Sequence, residues 1–236
     1  MKRPKQQLIV TGTDTGVGKT MVAGHLLRIA LRQGIDACYQ KWVSTGDADG
    51  CADLHTCLAV SGYSMPRRER RLSAPYSFSR AASPHFAAEQ EKKTVDPARI
   101  LEAFHLLSEA HDLVIAEGAG GLMVPLARDL LLIDLVARAN VPVLMVARSG
   151  LGTLNHTLLS LEALKQRHMP VLGVVFVDSG FAEDDILVRD NMRTVGEMAG
   201  VSVFGRIPRL DDPHDTNKWQ MCEPALAAVL SALTVL

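Results

Sequence analysis

The residues with the clearest chemistry lie near the amino terminus, in the segment 8–20. An apolar run leads into a loop of small residues that ends in Gly18-Lys19-Thr20, and an amphipathic stretch follows. Backbone N–H groups in such a loop can surround phosphate oxygens, and the start of a helix adds its positive dipole end. Lys19 would reach the β- and γ-phosphates, and the Thr20 hydroxyl would bind Mg²⁺. The segment therefore predicts a site for a nucleoside triphosphate.

The phosphate-loop pattern G-x-x-x-x-G-K-[ST] is matched except at its first position. Thr13 stands there, one residue after Gly12. The apolar run before the loop and the helical pattern after it supply the context that the motif requires. We assign these residues of the loop to nucleotide binding: Thr15, Gly16, Val17, Gly18, Lys19, Thr20 and Met21.

Three further polar residues stand next to predicted strands or loops. Ligands of an open α/β sheet bind beyond the carboxyl ends of its strands. Lys41 ends one strand, where a lysine can neutralise charge on a transferring phosphoryl group. Glu117 ends another, before a glycine-rich turn, where a carboxylate that organises Mg²⁺ is expected. Asp53, at a helix start, is either an N-cap or a second metal carboxylate, and Asp47 and Asp49 compete with it.

A fourth element, G-L-G-T-L-N-H at 150–156, opens another predicted helix. The free N–H groups at this helix start predict a second anion site, suited to a carboxylate. Two interpretations of His156 are open, a catalytic base and a hydrogen-bonded structural histidine, and we favour the second.

Composition limits the class of protein. The chain has 236 residues, 47% of them hydrophobic, and a net charge of −1, so its charge gives no argument for binding nucleic acid or an anionic membrane. The one basic run, 67–71, is short and contains a glutamate, and it predicts a solvated loop. We expect partners that are small molecules, with no nucleic acid and no membrane.

The cysteines and the amino terminus indicate the compartment. Four scattered cysteines lack metal-ligand spacing and suit a reducing environment. The polar residues 1–7 lead into the first strand too soon for a signal peptide. No apolar run approaches the roughly 20 residues that span a bilayer. These features predict a cytoplasmic protein.

Short β-branched runs alternate with longer helical patterns, which predicts one doubly wound α/β domain over residues 1–236, with a mostly parallel sheet and helices on both faces. After the first strand, we predict strands at 36–41, 112–117, 141–147, 171–177 and 201–204. Helices after the first are predicted at 53–60, 85–91, 97–110, 131–139, 153–167, 184–198 and 223–233, with Asp96 as the N-cap of the third of these. A loop is predicted at 44–50. The segment 62–93 lacks periodicity and is interpreted as a functional excursion.

Together, these motifs resemble those of dethiobiotin synthetase, which forms the ureido ring of dethiobiotin in biotin biosynthesis. The resemblance covers nearly the whole chain, in order: G-T-D-T-G-V-G-K-T, K-x-V-x-[ST]-G, Asp53, Ser83-Pro84-His85, E-G-A-G-G, L-G-x-x-N-H and G-x-I-P at 205–208. The family uses 7,8-diaminononanoate, CO₂ and a nucleoside triphosphate. An amine captures CO₂ as a carbamate, the carbamate attacks the γ-phosphate, and the second amine closes the ring.

The resemblance also implies a role for each matched residue. Lys19 and Lys41 would be catalytic, while Thr20, Asp53 and Glu117 would hold Mg²⁺. The nucleotide would also contact Val177, Asp178 and Pro208. The diamine substrate would contact Thr15, Lys41 and Thr45, and its carboxylate would bind to Leu151, Gly152, Thr153 and Asn155 of a neighbouring subunit, because the family forms homodimers with shared sites.

Two residues depart from the family pattern. Trp42 stands where proline is common, which puts the packing of the Lys41 loop in doubt. Val177 stands where many members carry an asparagine that reads the adenine edge, although Asp178 follows it as in the family.

Two other interpretations compete. An amidoligase of the cobyrinic acid diamide synthase type shares the phosphate loop but usually carries a glutaminase domain, for which this length leaves no room. A dimeric switch ATPase would carry a lysine at the position of Asp14 and often a membrane-binding terminal helix. The last predicted helix, 223–233, lacks the basic face of such an anchor.

Overall fold

The computed structural model describes residues 4–48, 50–179, 184–209, 212 and 215–235. Its strands are β1 Gln6–Gly12, β2 Ala37–Lys41, β3 Val43–Thr45, β4 Tyr76–Phe78, β5 Leu113–Gly121, β6 Pro125–Ala127, β7 Leu130–Leu131, β8 Val143–Arg148, β9 Val171–Val177 and β10 Val203–Ile207. Its helices are α1 Lys19–Arg32, α2 Ala52–Ser61, α3 Arg70–Ser73, α4 Pro84–Gln90, α5 Pro97–Ala110, α6 Leu132–Ala139, α7 Thr153–Lys165, α8 Asp185–Ala199 and α9 Thr216–Leu233, with a 3₁₀ turn at Arg67–Glu69.

Within the described residues, six parallel strands form the main sheet in the order β10-β9-β8-β1-β5-β2. Successive side chains of β1 point to opposite faces, so that Leu8 and Val10 enter one apolar core and Ile9 enters the other. The first core contains residues of α1, α2 and α9, and the second contains residues of α5, α6, α7 and α8. The predicted doubly wound α/β fold is confirmed.

The excursion at 62–93 contains more structure than predicted. The basic run is not a loop, because it forms the 3₁₀ turn and α3, but its four arginines are exposed to solvent as predicted. The glutamate inside that run, Glu69, is buried, where it accepts a hydrogen bond from the Tyr63 hydroxyl at 3.1 Å. The missed strand β4 pairs in parallel with β3, which takes up the first residues of the predicted 44–50 loop. Isolated pairs this short have no periodicity that a sequence could reveal.

Three predicted boundaries were also clearly wrong, and one of them is the strand predicted at 201–204, which spans Val203–Ile207. The strand that holds Glu117 continues to Gly121, where a turn was expected, because this glycine pairs with Gly12 of β1. The last helix begins at Thr216 rather than at Glu223, and it contains Pro224. Burial of Trp219 on that helix outweighs the cost of a proline in its interior. No helix in the described part of the chain is long and apolar enough to cross a bilayer.

A buried histidine joins the first helix to the last. His25 of α1 is 1% exposed, and its ring stacks on that of Trp219 of α9 with the ring centroids 4.6 Å apart. Among the residues that the structure describes, neither of its ring nitrogens has a hydrogen-bond partner. Burial, with a smaller effect of the Arg28 charge, lowers the pKa of His25 from 6.5 to about 4. The folded protein therefore keeps this ring neutral over a range in which the unfolded chain is protonated.

We expect this ring to weaken the fold in acid. In the unfolded state His25 takes up its proton at a higher pH than in the folded state. The free energy of unfolding therefore falls as the pH drops from about 6.5 to about 4, by a total of about 3 kcal/mol. Urea unfolding of the wild type and of His25→Phe across this range measures the difference. The exposed His105→Phe serves as the control. An equal pH dependence in wild type and His25→Phe would contradict the prediction.

Candidate active site at the carboxyl ends of the strands

The phosphate loop turns between β1 and α1 on two glycines that other residues could not replace. A Cβ at Gly12 would lie 2.7 Å from Val17 Cγ2, so the loop closes too tightly there for any side chain. Gly18 has a φ of +98° and caps α1, which points the first N–H groups of the helix into the loop.

The loop lysine is buried beneath these residues. Lys19 Nζ donates a hydrogen bond to the Asp14 carbonyl at 2.8 Å. Burial lowers the pKa of Lys19 from 10.5 to about 8, although the Glu117 carboxylate opposes this shift. The ammonium group is thus held at the loop, where a phosphate would provide a stronger partner than a carbonyl does.

A cluster of charged and polar groups stands next to the loop. Lys41 Nζ lies 2.6 Å from Glu117 Oε1 and 2.7 Å from Asp53 Oδ2. The Thr20 hydroxyl lies 3.0 Å from Glu117 Oε1 and 3.0 Å from Asp53 Oδ1. Four residues from four separate elements therefore converge on one point.

The electrostatics of this cluster depend on pairing. Burial disfavours charge on Lys41, but the Glu117 and Asp53 carboxylates outweigh burial and raise its pKa. Burial likewise opposes charge on Asp53, yet the Lys41 ammonium lowers the pKa of that carboxyl below its usual value. Lys41 is therefore charged in this arrangement and forms an ion pair with each of the two carboxylates.

Sheet register explains why these residues meet. Lys41, the last residue of β2, is paired in register with Glu117, in the middle of the neighbouring strand β5, so their side chains share one face. Thr20 and Asp53 lie in the first turns of α1 and α2, which pack against each other over that face. The sequence pattern predicted each position, and the parallel sheet places them together.

The N-cap alternative for Asp53 is excluded by a neighbouring residue. The N-cap of α2 is Cys51, whose sulfur accepts a hydrogen bond from the Leu54 N–H at 3.4 Å, so Asp53 is not the cap. Asp47 accepts hydrogen bonds from the Ala52 N–H at 3.1 Å and from the Ser44 hydroxyl, away from the charged cluster. Asp49 lies outside the described residues.

The cluster suits the predicted metal. Thr20, Asp53 and Glu117 supply hydroxyl and carboxylate oxygens, which are the ligands that Mg²⁺ prefers, beside a loop that suits phosphates. The buried Glu117 carboxylate requires a cation beside it, and in this structure the Lys41 ammonium is that cation. The residues present therefore fit the ion.

A cavity of about 910 Å³ opens above the cluster, a size typical of small-molecule sites. These predicted site residues line it: Thr15, Gly16, Val17, Gly18, Lys19, Thr20, Met21, Lys41, Thr45, Asp53, Glu117, Val177 and Asp178. Pro208 does not, although its neighbours Ile207 and Arg209 do. Ala81–Pro84 of the excursion also line the wall, so part of the excursion belongs to the site.

The other predicted substrate residues lie elsewhere. Among the described residues, Leu151, Gly152, Thr153 and Asn155 do not line this cavity. Leu151 is 91% exposed, and Asn155 borders a separate surface groove between α7 and the end of α8. His156 is exposed and does not line the cavity.

Two residues that the sequence left in doubt have defined places. Trp42 is fully buried, where its indole N–H donates to Gln40 Oε1 at 3.0 Å. Val177 contacts the phosphate loop, since a Cβ at Gly18 would lie 3.1 Å from its Cγ1. Asp178, beside it, accepts hydrogen bonds at 2.6 Å from the Ser149 hydroxyl and 2.6 Å from the Arg206 guanidinium.

Sequence reasoning missed Arg148. It is the last residue of β8, it lines the cavity, and its guanidinium lies 3.8 Å from the Asp14 carboxylate. The signal was present, because Arg148 is the one charged residue of an otherwise apolar strand and stands at the end where ligands bind.

Known proteins with similar sequences identify the family. A family model described as AAA domain matches residues 6–216. The ATP-dependent dethiobiotin synthetase BioD of Lysinibacillus sphaericus is 39% identical over 226 residues, which cover 94% of each chain. This chain belongs to the dethiobiotin synthetase family. The BioD of Anaeromyxobacter dehalogenans is 42% identical over 85% of this chain and 89% of its own.

Solved structures share the fold of this synthetase at low identity. The septum site-determining protein MinD of Pyrococcus horikoshii, complexed with Mg-ADP, is 15% identical, has a TM-score of 0.55, and covers 98% of this chain and 94% of its own. A variant of Cyanothece McdA in complex with ATP is 14% identical, with a TM-score of 0.60 and coverage of 98% and 97%. These matches concern the fold alone, whereas the sequence relatives favour the synthetase over a switch ATPase.

Proposed function

We propose that this chain is an ATP-dependent dethiobiotin synthetase that acts in biotin biosynthesis on 7,8-diaminononanoate, CO₂ and a nucleoside triphosphate. The observation that carries the proposal is the convergence of Lys41, Asp53, Glu117 and Thr20 beside the phosphate loop. We place the enzyme in the cytoplasm, because its described cysteines are free and suit a reducing compartment.

The site residues divide the work of the reaction. One amine of the diamine attacks the carbon of CO₂ and loses a proton, which gives a carbamate. The carbamate oxygen attacks the γ-phosphorus and releases ADP, while Lys19 and Lys41 hold the phosphoryl and carbamate oxygens. The second amine then attacks the carbamate carbon, and phosphate leaves with closure of the ring. Thr15 and Thr45 line the cavity on the side assigned to the diamine.

Positioning and charge neutralisation account for the catalysis in this scheme. Mg²⁺, when bound to Thr20, Asp53 and Glu117, would neutralise charge on the transferring phosphoryl group and its leaving oxygens. In the arrangement described above, the Lys41 ammonium contacts the same carboxylates. Lys41 can turn toward the phosphoryl group once another cation balances them.

The direct test is product formation. Purified protein should convert the diamine, bicarbonate and ATP to dethiobiotin, detected by mass spectrometry, when Mg²⁺ is present. Phosphate should appear only when both the diamine and bicarbonate are supplied. Strong phosphate release without the diamine would contradict the proposal and favour a switch ATPase.

The active unit in this proposal is a homodimer with shared sites. The residues at the glycine-rich start of α7 do not line the cavity of their own chain, so they are available to the cavity of a neighbouring subunit. Two large apolar side chains in this part of the chain are exposed to solvent. Leu151, just before α7, is 91% exposed, and Leu159, within α7, is 62% exposed. A subunit interface would cover them while it brought Asn155 to a neighbouring diamine.

Subunit mixing tests this arrangement. Lys19→Ala and Asn155→Ala homodimers should each be inactive, since each lacks one half of every site. Heterodimers of the two should recover part of the wild-type activity, because one of their two sites contains both native residues. Activity is measured as dethiobiotin formed by verified heterodimers. Inactivity of all such heterodimers would show that each chain builds its own site.

The base of the nucleotide should matter little. Val177 offers no donor or acceptor to a base, and a site rejects a wrong base strongly only when it leaves buried polar groups unpaired. We expect CTP, GTP and UTP to support turnover within about tenfold of ATP, a gap of roughly 1.4 kcal/mol. Comparison of kcat/KM for the four triphosphates measures it.

A matched pair of variants checks the cause. Val177→Asn should raise selectivity for ATP, whereas Val177→Ile, which adds no polar group, should leave it unchanged. A wild-type preference for ATP of about a hundredfold or more would contradict the prediction. In that case backbone groups near Asp178 and Pro208 would read the adenine edge.

A further inference from the structure

Tyr39 lies beneath the charged cluster and contacts it through one atom. It stands in the middle of β2, two residues before Lys41, so both side chains point to the same face of the sheet. Tyr39 is fully buried, and its hydroxyl donates a hydrogen bond to Glu117 Oε2 at 2.7 Å. No role in the resemblance or in the proposed reaction has been assigned to this residue.

The hydrogen bond completes the coordination of the Glu117 carboxylate. Its Oε1 atom contacts the Thr20 hydroxyl and the Lys41 ammonium, and its Oε2 atom contacts Tyr39. Because the two oxygens have different partners, the carboxylate plane cannot rotate without the loss of a buried contact. The hydrogen bond from Tyr39 to Oε2 therefore keeps Oε1 as the oxygen that faces Thr20.

The aromatic ring alone does not explain the choice of tyrosine here. The ring packs into an apolar core that also contains Leu54 and Cys57 of α2, and phenylalanine would fill the same volume. A buried polar group without a hydrogen-bond partner destabilises the fold, so the reason for a hydroxyl at this position is its hydrogen bond to Glu117.

We propose that Tyr39 is a positioning residue that orients Glu117 Oε1 toward Thr20, Asp53 and the Mg²⁺ ion of the nucleotide complex. The inference rests on the metal role proposed for Glu117 and extends it to the residue that holds this ligand in place. Hydrogen-bond partners of ligating carboxylates typically contribute 10- to 100-fold, by order of magnitude, to metal affinity. We expect an effect of about that size.

The chain contains a matched control. Tyr63 also donates its hydroxyl to a buried glutamate, Glu69 Oε2, at 3.1 Å. That glutamate contacts His111, which precedes β5, so the pair lies at the opposite ends of the strands from the cavity. Tyr63→Phe therefore removes the same chemical group from the same kind of contact, away from the proposed metal site.

Binding of Mn²⁺, followed by electron paramagnetic resonance, tests the proposal without turnover. Tyr39→Phe should weaken Mn²⁺ binding to the protein–ATP complex about 10- to 100-fold, while ATP binding in EDTA stays at the wild-type value. Tyr63→Phe should leave both unchanged, and Thr20→Ala should weaken Mn²⁺ binding. Equal Mn²⁺ affinity in Tyr39→Phe and Tyr63→Phe, with Thr20→Ala impaired, overturns the role of Tyr39. If Thr20→Ala also binds Mn²⁺ normally, the metal site itself is wrong.

A second measurement needs no variant at position 39. The chain has three tyrosines, so protein labelled with 3-fluorotyrosine gives three ¹⁹F resonances. Tyr63→Phe and Tyr76→Phe assign two of them, and the third belongs to Tyr39. Addition of Mg²⁺ to the ATP complex should shift the Tyr39 resonance and leave the other two in place. An unmoved Tyr39 resonance, at Mg²⁺ concentrations that change ATP binding, would overturn the proposal.

Discussion

Replacement of Lys41 by alanine should lower kcat about 10²–10³-fold, the usual cost of one preorganised donor to developing charge. The affinity for ATP in saturating Mg²⁺ should change much less, because only an interaction that strengthens in the transition state raises kcat. Lys41 is buried beside the Asp53 and Glu117 carboxylates at 2.7 and 2.6 Å, so its ammonium group lies next to the phosphate loop before substrate arrives. Steady-state kinetics and ATP titrations separate the two effects.

The same substitution should weaken the free protein. Without the ammonium, the Glu117 carboxylate is buried without its cation, a change that costs about 3–5 kcal/mol for a buried pair. Mg²⁺ with ATP should restore part of this loss. Lys93→Ala is the control, because Lys93 pairs with Glu91 at the surface. Near-normal kcat in Lys41→Ala would remove Lys41 from the catalytic residues.

Trp42→Ala should lower the free energy of unfolding by about 3–5 kcal/mol. Trp42 is among the largest fully buried side chains. Its ring and that of Phe104 of α5 form a T-shaped pair, with the ring centroids 6.2 Å apart. Its removal leaves a cavity between β2 and α5 and leaves Gln40 Oε1 without the indole donor. Urea unfolding followed by circular dichroism measures the change.

Trp42→Phe separates volume from hydrogen bonding. It keeps most of the aromatic contact and loses only the N–H group, so we expect a smaller loss than in Trp42→Ala. Because Trp42 follows Lys41 directly, kcat should fall in Trp42→Ala as well. A loss of stability below about 1 kcal/mol in Trp42→Ala would mean that the core refills the site.

Most of the fold was accessible from local patterns. Apolar runs such as 171–177 located the strands closely, and Asp96 caps α5 through a 2.8 Å hydrogen bond to the Ala98 N–H, as predicted. Lys41 and Glu117 were recognised because each was predicted to end a strand, although β5 continues past Glu117 to Gly121. What the sequence could not provide is the register that pairs them, which depends on contacts between distant segments.

The residues that were missed share this dependence on distant partners. Tyr39 reads as an ordinary strand residue until the β2–β5 pairing places its hydroxyl at Glu117. Glu69 reads as part of a charged surface run until the fold brings Tyr63 and His111 to it. Short strands such as β3 and β4 exist only because they meet each other. Periodicity carries no information about such contacts.

The position of β1 in the sheet has a consequence for synthesis of the chain. This strand leaves the ribosome well before both of its neighbours, β5 from Leu113 and β8 from Val143. A parallel strand gains its hydrogen bonds only when such distant partners have been made. The entropy lost on closing the long loops between them therefore opposes pairing before any hydrogen bond stabilises β1. The phosphate loop is thus encoded early and assembled late. Nucleotide can contribute to folding of the nascent chain only after more than half of the sequence has been made.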